Sequence, residues 1–125
     1  MATPDAHLPR QVPIDGYGRR SFHFAGMASE GSILALPSGI HAWSAVTTAD
    51  IDALALHRVL AEAGRIELLL IGTGADPWAL PDALRWRLRD ADIRVDTMPT
   101  VAAASTYNVL LAEGRAVAAA LLALP

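Results

Sequence analysis

The chain has 125 residues, 53% hydrophobic and 18% charged, with a net charge of −3. It can therefore bury one core and is too apolar to be disordered, and its acidic balance argues against a nucleic-acid binder that depends on phosphate contacts. It has no cysteine, which excludes disulfides, thiolate catalysis and thiolate metal sites, and its longest apolar run, 116–124, is nine residues, against about 20 for a membrane-spanning helix. A soluble globular protein is expected. All ten basic residues are arginine and alanine is abundant, a bias that GC-rich bacterial coding produces. Residues 1–11 hold no apolar stretch of the secretory kind, so a cytoplasmic location is expected.

Residues 1–13, with Pro4, Pro9 and Pro13 among polar residues, are expected to form a flexible arm, followed by a single α/β domain over 14–125. Ile14-Asp15-Gly16-Tyr17-Gly18 predicts a loop. Strands are predicted over 21–26, 32–36 and 40–43, with turns at Ser29-Glu30-Gly31 and Pro37-Ser38-Gly39, an antiparallel meander. A first helix is predicted from Asp50 or Asp52 to Ala63-Gly64, with Leu56, Val59, Leu60 and Ala63 as its apolar stripe. Residues 66–71, Ile-Glu-Leu-Leu-Leu-Ile, suit a strand covered on both faces. Pro81-Asp82 opens a second helix to about Ala91. Residues 93–98 alternate as a half-buried strand, and a third helix covers 100–113 before Gly114. Alanine propensity favours helix for 115–124. The single-glycine connection and two-sided apolarity favour strand, and strand is the reading adopted. Helices alternating with strands give an α/β layered architecture.

Leu70-Ile71-Gly72-Thr73-Gly74, Met98-Pro99-Thr100, Thr106-Tyr107-Asn108-Val109-Leu110 and the block from Glu113-Gly114-Arg115 onward occur in that order. With Leu36-Pro37, Trp43 and Pro81 they cover about 14–122. The set resembles a family of small proteins filed as a domain of unknown function. Its eukaryotic members include a mitochondrial NADH–ubiquinone oxidoreductase (complex I) assembly factor and an adipogenesis-associated protein. The resemblance implies a three-layer α/β fold: an N-terminal β-meander plus a mixed five-stranded central sheet flanked by helices, with the last strand inserted centrally and antiparallel. It implies no established reaction. Where relatives often carry a cysteine this chain has Ala103-Ala104-Ser105, so no thiol chemistry carries over.

The residues themselves offer two functional readings. In the first the chain is a non-catalytic interaction module, with a protein partner or a second copy as its target. Leu84, Leu88 and Ala91 define the inner face of the second helix, so Trp86 points outward between Arg85 and Arg89. That composition suits an interface anchor; the plainer alternative is a Trp stacked on Trp78 or an arginine. In the second reading the chain is a small anionic-ligand binder or an enzyme that uses the Gly72–Gly74 loop. Gly72, Thr73 and Gly74 follow an apolar strand, where open α/β sheets hold ligands, and their backbone N–H groups could form an anion nest. Tyr107 and Asn108 would wall that pocket and Arg115 would lie alongside. The plainer alternatives are a turn needing φ > 0 at one glycine, and a Tyr107–Asn108 clasp onto a neighbouring loop. The third helix is apolar around most of its circumference, which predicts burial on more than one side. His23 and His41 could approach each other near Asp15; with His7 and His57 they are too scattered for a metal site. No catalytic residue, metal or cofactor is expected.

Overall fold

The computed structural model describes residues 8–125. Five strands come first: β1 (Gly16–Gly18), β2 (Ser21–Phe24), β3 (Met27–Glu30), β4 (Ser32–Leu36) and β5 (Gly39–Trp43). Then follow α1 (His57–Ala61), β6 (Leu68–Gly72), α2 (Asp82–Asp90), β7 (Arg94–Met98), α3 (Thr100–Ala112) and β8 (Val117–Leu121). β1, β2 and β3 form an antiparallel sheet; the other five form a mixed sheet in the order β5-β4-β8-β6-β7. Among the described residues no helix is long and apolar enough to cross a membrane.

Strand periodicity divides the interior into two cores. Leu34, Leu36, Leu69, Ile71, Ala118 and Ala120 face α1 and α2. Ile33, Ala35, Leu70, Val117, Ala119 and Leu121 face α3 and the small sheet, where Phe22 and Phe24 close the layer. The expected three-layer arrangement with a five-stranded mixed centre is present.

β8 is central, as the apolarity of its residues predicts. It runs antiparallel to β4 but parallel to β6, so the antiparallel insertion holds on one side only. Its alanines are strand because α3 cannot continue into them. Gly114 takes φ +76°; its N–H donates to the Leu111 carbonyl and that of Arg115 to Leu110, each at 3.0 Å. This pair of bonds closes a helix in a Schellman turn. α2 ends the same way at Asp92 (φ 61°), with Ile93 N–H on the Leu88 carbonyl at 3.0 Å.

Five local expectations are corrected. The predicted loop at 14–18 contains β1, paired with β2. The first predicted strand stops at Phe24, because Ala25 and Gly26 both take positive φ and form a two-residue hairpin turn. That turn creates β3, which includes Ser29 and Glu30, and the expected meander is split: β2 pairs with β1 and β3, while β4 and β5 join the five-stranded sheet. The first helix shrinks to α1. The Asp52 carboxylate bonds the Ala55 N–H at 2.8 Å and the Trp43 indole bonds the Ala55 carbonyl at 2.8 Å, so side chains take both polar groups of Ala55. Lastly, α3 is buried on one face, through Thr100, Ala103, Ala104 and Tyr107, while Val101 and Val109 are exposed.

Residues 8–13, part of the expected arm, lie against the body: Leu8 bridges Ile40 and Gln11 Nε2 donates to the Val117 carbonyl at 2.7 Å. Residues 1–7 of that arm lie outside the described residues.

Backbone amides of a central strand open only with the whole fold. Amide hydrogen exchange is therefore expected to be slowest in Ala118–Ala120 and their β6 partners. Rapid exchange there, or helical chemical shifts over 117–121, contradicts the central insertion.

Candidate functional site

β6 delivers the Gly72-Thr73-Gly74 turn to the carboxyl end of the parallel strands. At Gly72 a β-carbon would come within 3.0 Å of the Thr100 Cα and 2.9 Å of the Leu121 side chain, so only glycine fits between α3 and β8. The turn's donors are already engaged. Thr73 N–H donates to the Met98 carbonyl at 2.9 Å, and the Thr73 hydroxyl to the Asp76 carbonyl at 2.6 Å. Gly74 takes φ +85° and its N–H donates to Thr100 Oγ1 at 2.9 Å. The Thr100 hydroxyl in turn donates to the Leu122 carbonyl at 2.7 Å. Thr73 and Gly74 thus offer no N–H to an anion, and a larger residue at Gly74 strains the backbone before it probes any ligand.

A cleft of about 700 Å³ opens beside this turn, lined among others by Arg20, Glu30, Val46, Thr73, Asp76 and Leu124. Among the described residues its lining holds one arginine and two acidic side chains, so it has no cationic excess there.

Tyr107, Asn108 and Arg115 lie elsewhere. The Tyr107 hydroxyl donates to the Val12 carbonyl at 2.7 Å, and burial pushes its phenol well above the usual range. Asn108 accepts from the Ile14 N–H at 2.8 Å and donates to the Ile14 carbonyl at 2.7 Å. The amide thereby serves Ile14 as a neighbouring strand would, holding residues 12–14 against α3. Arg115 pairs with Glu67 at 3.0 Å, both half-exposed. Leu68 is level with Val117 and Gly72 with Leu121, so Arg115 sits at the opposite end of β6 from the turn, about 15 Å away at strand rise. The six residues expected around one ligand occupy three separate places.

On α2, Leu84 and Leu88 are buried and Trp86 is 59% exposed. The Arg89 guanidinium lies 5.4 Å from the Trp86 ring centroid, so the side chain is both outward and stacked on an arginine. Trp78 instead packs against the core. Arg85 and Arg89 also rim a shallow groove of about 320 Å³ beside Arg94, Val95 and Asp96.

His23 lies on β2 and His41 on β5, in different sheets. His57 Nδ1 lies 3.0 Å from the Leu54 carbonyl; His7 is outside the described residues. Sequence reasoning missed one polar cluster. Ser38 donates its hydroxyl proton to Glu62 Oε2, and His41 Nε2 lies 2.8 Å from the Ser38 Oγ. With its proton on Glu62, the Ser38 oxygen can accept from a protonated His41 Nε2. The cluster ties the β4–β5 turn to the end of α1. Thr100 was missed too; its position after Met98-Pro99 carries no signal that its hydroxyl joins three segments.

Replacing Asn108 by alanine leaves the Ile14 N–H and carbonyl without partners. We expect a loss of about 1–3 kcal/mol in urea unfolding, whereas Arg115→Ala, which breaks an exposed pair, should cost under about 1 kcal/mol. Equal effects contradict the clasp. The Thr47 and Val46 N–H groups hold the exposed Asp50 carboxyl below its usual value. A lowered carboxyl stabilises the fold above its unfolded pKa and loses that contribution as pH falls through the folded one. The Val46 and Thr47 amide resonances should therefore titrate below the ordinary carboxylate range, and not at all in Asp50→Asn.

Comparison with known proteins agrees with this architecture. The chain is 42% identical over 125 residues to an uncharacterised protein of Rhodobacter capsulatus, covering 100% of this chain and 95% of that one. It is 30% identical over 120 residues to NADH dehydrogenase [ubiquinone] 1 alpha subcomplex assembly factor 3 of Mus musculus, covering 96% of this chain and 65% of the mouse protein. A crystal structure described as an outer membrane protein from Bartonella henselae superposes with a TM-score of 0.91 at 47% identity, covering 95% of this chain and 100% of that one. A family model matches residues 14–122, and on that match the chain belongs to the family described as Protein of unknown function (DUF498/DUF598).

Proposed function

We propose that this chain is a non-catalytic, assembly-factor-like interaction module that acts in the cytoplasm by binding another protein through the α2 surface. The observation that carries this reading is Trp86, 59% exposed on a helix whose buried face is fully supplied by Leu84 and Leu88. A large aromatic flanked by Arg85 and Arg89 has the composition of an interface anchor. Its stacking on Arg89 holds the ring in place at little entropic cost on binding. The similarity to a mammalian assembly factor supports a protein partner as the target.

A second reading, a small-ligand binder, is favoured by the cleft beside Gly74, at the carboxyl ends of β6 and β8 where open α/β sheets hold ligands. The anion version of that reading is weaker, because Thr73 and Gly74 spend their N–H groups internally.

The test is Trp86→Ala. Unfolding free energy should change by no more than about 0.5 kcal/mol, as for surface positions, while partner capture from a bacterial extract, read by cross-linking and mass spectrometry, should fall. A stability loss of about 3–5 kcal/mol identifies a core side chain; unchanged capture removes α2 as the binding surface.

A further inference from the structure

The two edges of the five-stranded sheet are treated differently. Along β5 the edge is covered: Leu8 N–H donates to the Ile40 carbonyl at 3.0 Å, and Ile40 N–H to Leu8 at 2.9 Å. Along β7 it is open; among the described residues β7 pairs only with β6. The hydrogen bonds fix which backbone groups face outward. Arg94 N–H donates to the Glu67 carbonyl at 3.0 Å and the Met98 carbonyl accepts from Thr73 at 2.9 Å, so 94, 96 and 98 turn their polar groups to β6. By strand alternation Val95 and Thr97 turn theirs away from the sheet. An open row of this kind is a template for another strand.

The surroundings of that row are cationic. Arg85 and Arg89 of α2 and Arg94 of β7 line one groove together with Val95 and Asp96. Only Asp96 opposes them there, and among the described residues none of the three arginines is in an ion pair. In a chain of net charge −3, three of ten basic residues border one strand edge.

From this we infer that β7 accepts an extended, acidic segment of a partner protein as a sixth strand, with carboxylates two residues apart. The spacing follows from geometry. Arg85 and Arg89, four apart on a helix, have Cβ atoms about 5–6 Å apart, and alternate residues of a strand are about 6.6 Å apart on one face. Two carboxylates at i and i+2 therefore meet both guanidiniums while the backbone bonds Val95 and Thr97, the strand-addition mode of peptide recognition. A second copy fits poorly. Pairing β7 with its own symmetry mate brings Arg85 and Arg89 of both copies to one shared edge, a like-charge arrangement. The inference rests on the reading of the chain as a protein-binding module and names the chemistry of its target.

The probe is a capped peptide of alternating Thr and Glu, titrated into the 15N-labelled full chain. Saturable amide shifts are expected at Val95, Thr97 and along α2, with exchange of the Val95 and Thr97 amides slowed by roughly tenfold or more. The same peptide N-methylated at alternate residues keeps its charge but loses its ladder donors, and should not slow exchange. A Thr/Lys peptide should not bind the native chain, and should bind the Arg85→Glu/Arg89→Glu variant in place of the acidic one. The inference is overturned by any of three results: no saturable shift with the acidic peptide at millimolar concentration; equal binding of the N-methylated peptide, which means surface ion pairing only; or concentration-dependent protection of β7 without peptide, which means a second copy occupies the edge. If the peptide fails while Trp86→Ala still loses its partner, strand addition falls and the interaction-module reading stands. If capture is also unaffected, both fall.

Discussion

Within the five-stranded sheet the β4–β5 hairpin meets the β6–β7 pair only through β8. The last strand is laid between two units that are complete before it in the chain. Its pairing with β4 joins residues more than eighty positions apart, as at Ile33 and Leu121, so its loop-closure entropy must be met by burial. Residues 117–122 are all buried, with alternate side chains entering the two cores. Alanine is suited to this place. Its small side chains at 118–120 fit between the two packed layers, and beside them Gly72 has no room for a β-carbon against Thr100 and Leu121.

The polar residues of α3 serve the same closure. Thr100 ties the Gly74 turn to the end of β8, Tyr107 and Asn108 tie residues 12–14 to the helix, and Gln11 reaches the start of β8. Each bond satisfies a backbone group that the layered packing removes from water. Residues that look like a pocket wall when read as a string are thus spent on holding the first and last segments together.

What remains unspent lies on the other side of the molecule. α2 needs only Leu84 and Leu88 to dock, leaving Arg85, Trp86, Arg87 and Arg89 in solvent. β7 needs only its inner edge. The cover supplied to β5 by Leu8 has no counterpart at β7 among the described residues. The surface available for recognition and the surface used for folding are therefore largely separate, which is why changes at Trp86 and at Asn108 should have opposite signatures.

Much of this is legible along the chain because its causes are local. Pro81 and Pro99 precede helices, Gly114 ends one, and the Leu-Leu-Leu-Ile run can only be an interior strand; α2, β6, β7, α3 and the layered α/β class follow from such signals. The outward position of Trp86 follows from helical geometry alone. Other features depend on atoms far away in sequence. α1 is short because the Trp43 indole reaches Ala55, and α3 is exposed at Val109 because only one of its apolar faces meets the sheet. The donors of Gly72-Thr73-Gly74 look free until Met98 and Thr100 are placed beside them, and Arg115 looks adjacent to that turn until the parallel register sets it at the other end of β6. A residue's type and its nearest neighbours determine which element it enters; which hydrogen bonds it has left to offer depends on partners that only chain folding brings within 3 Å.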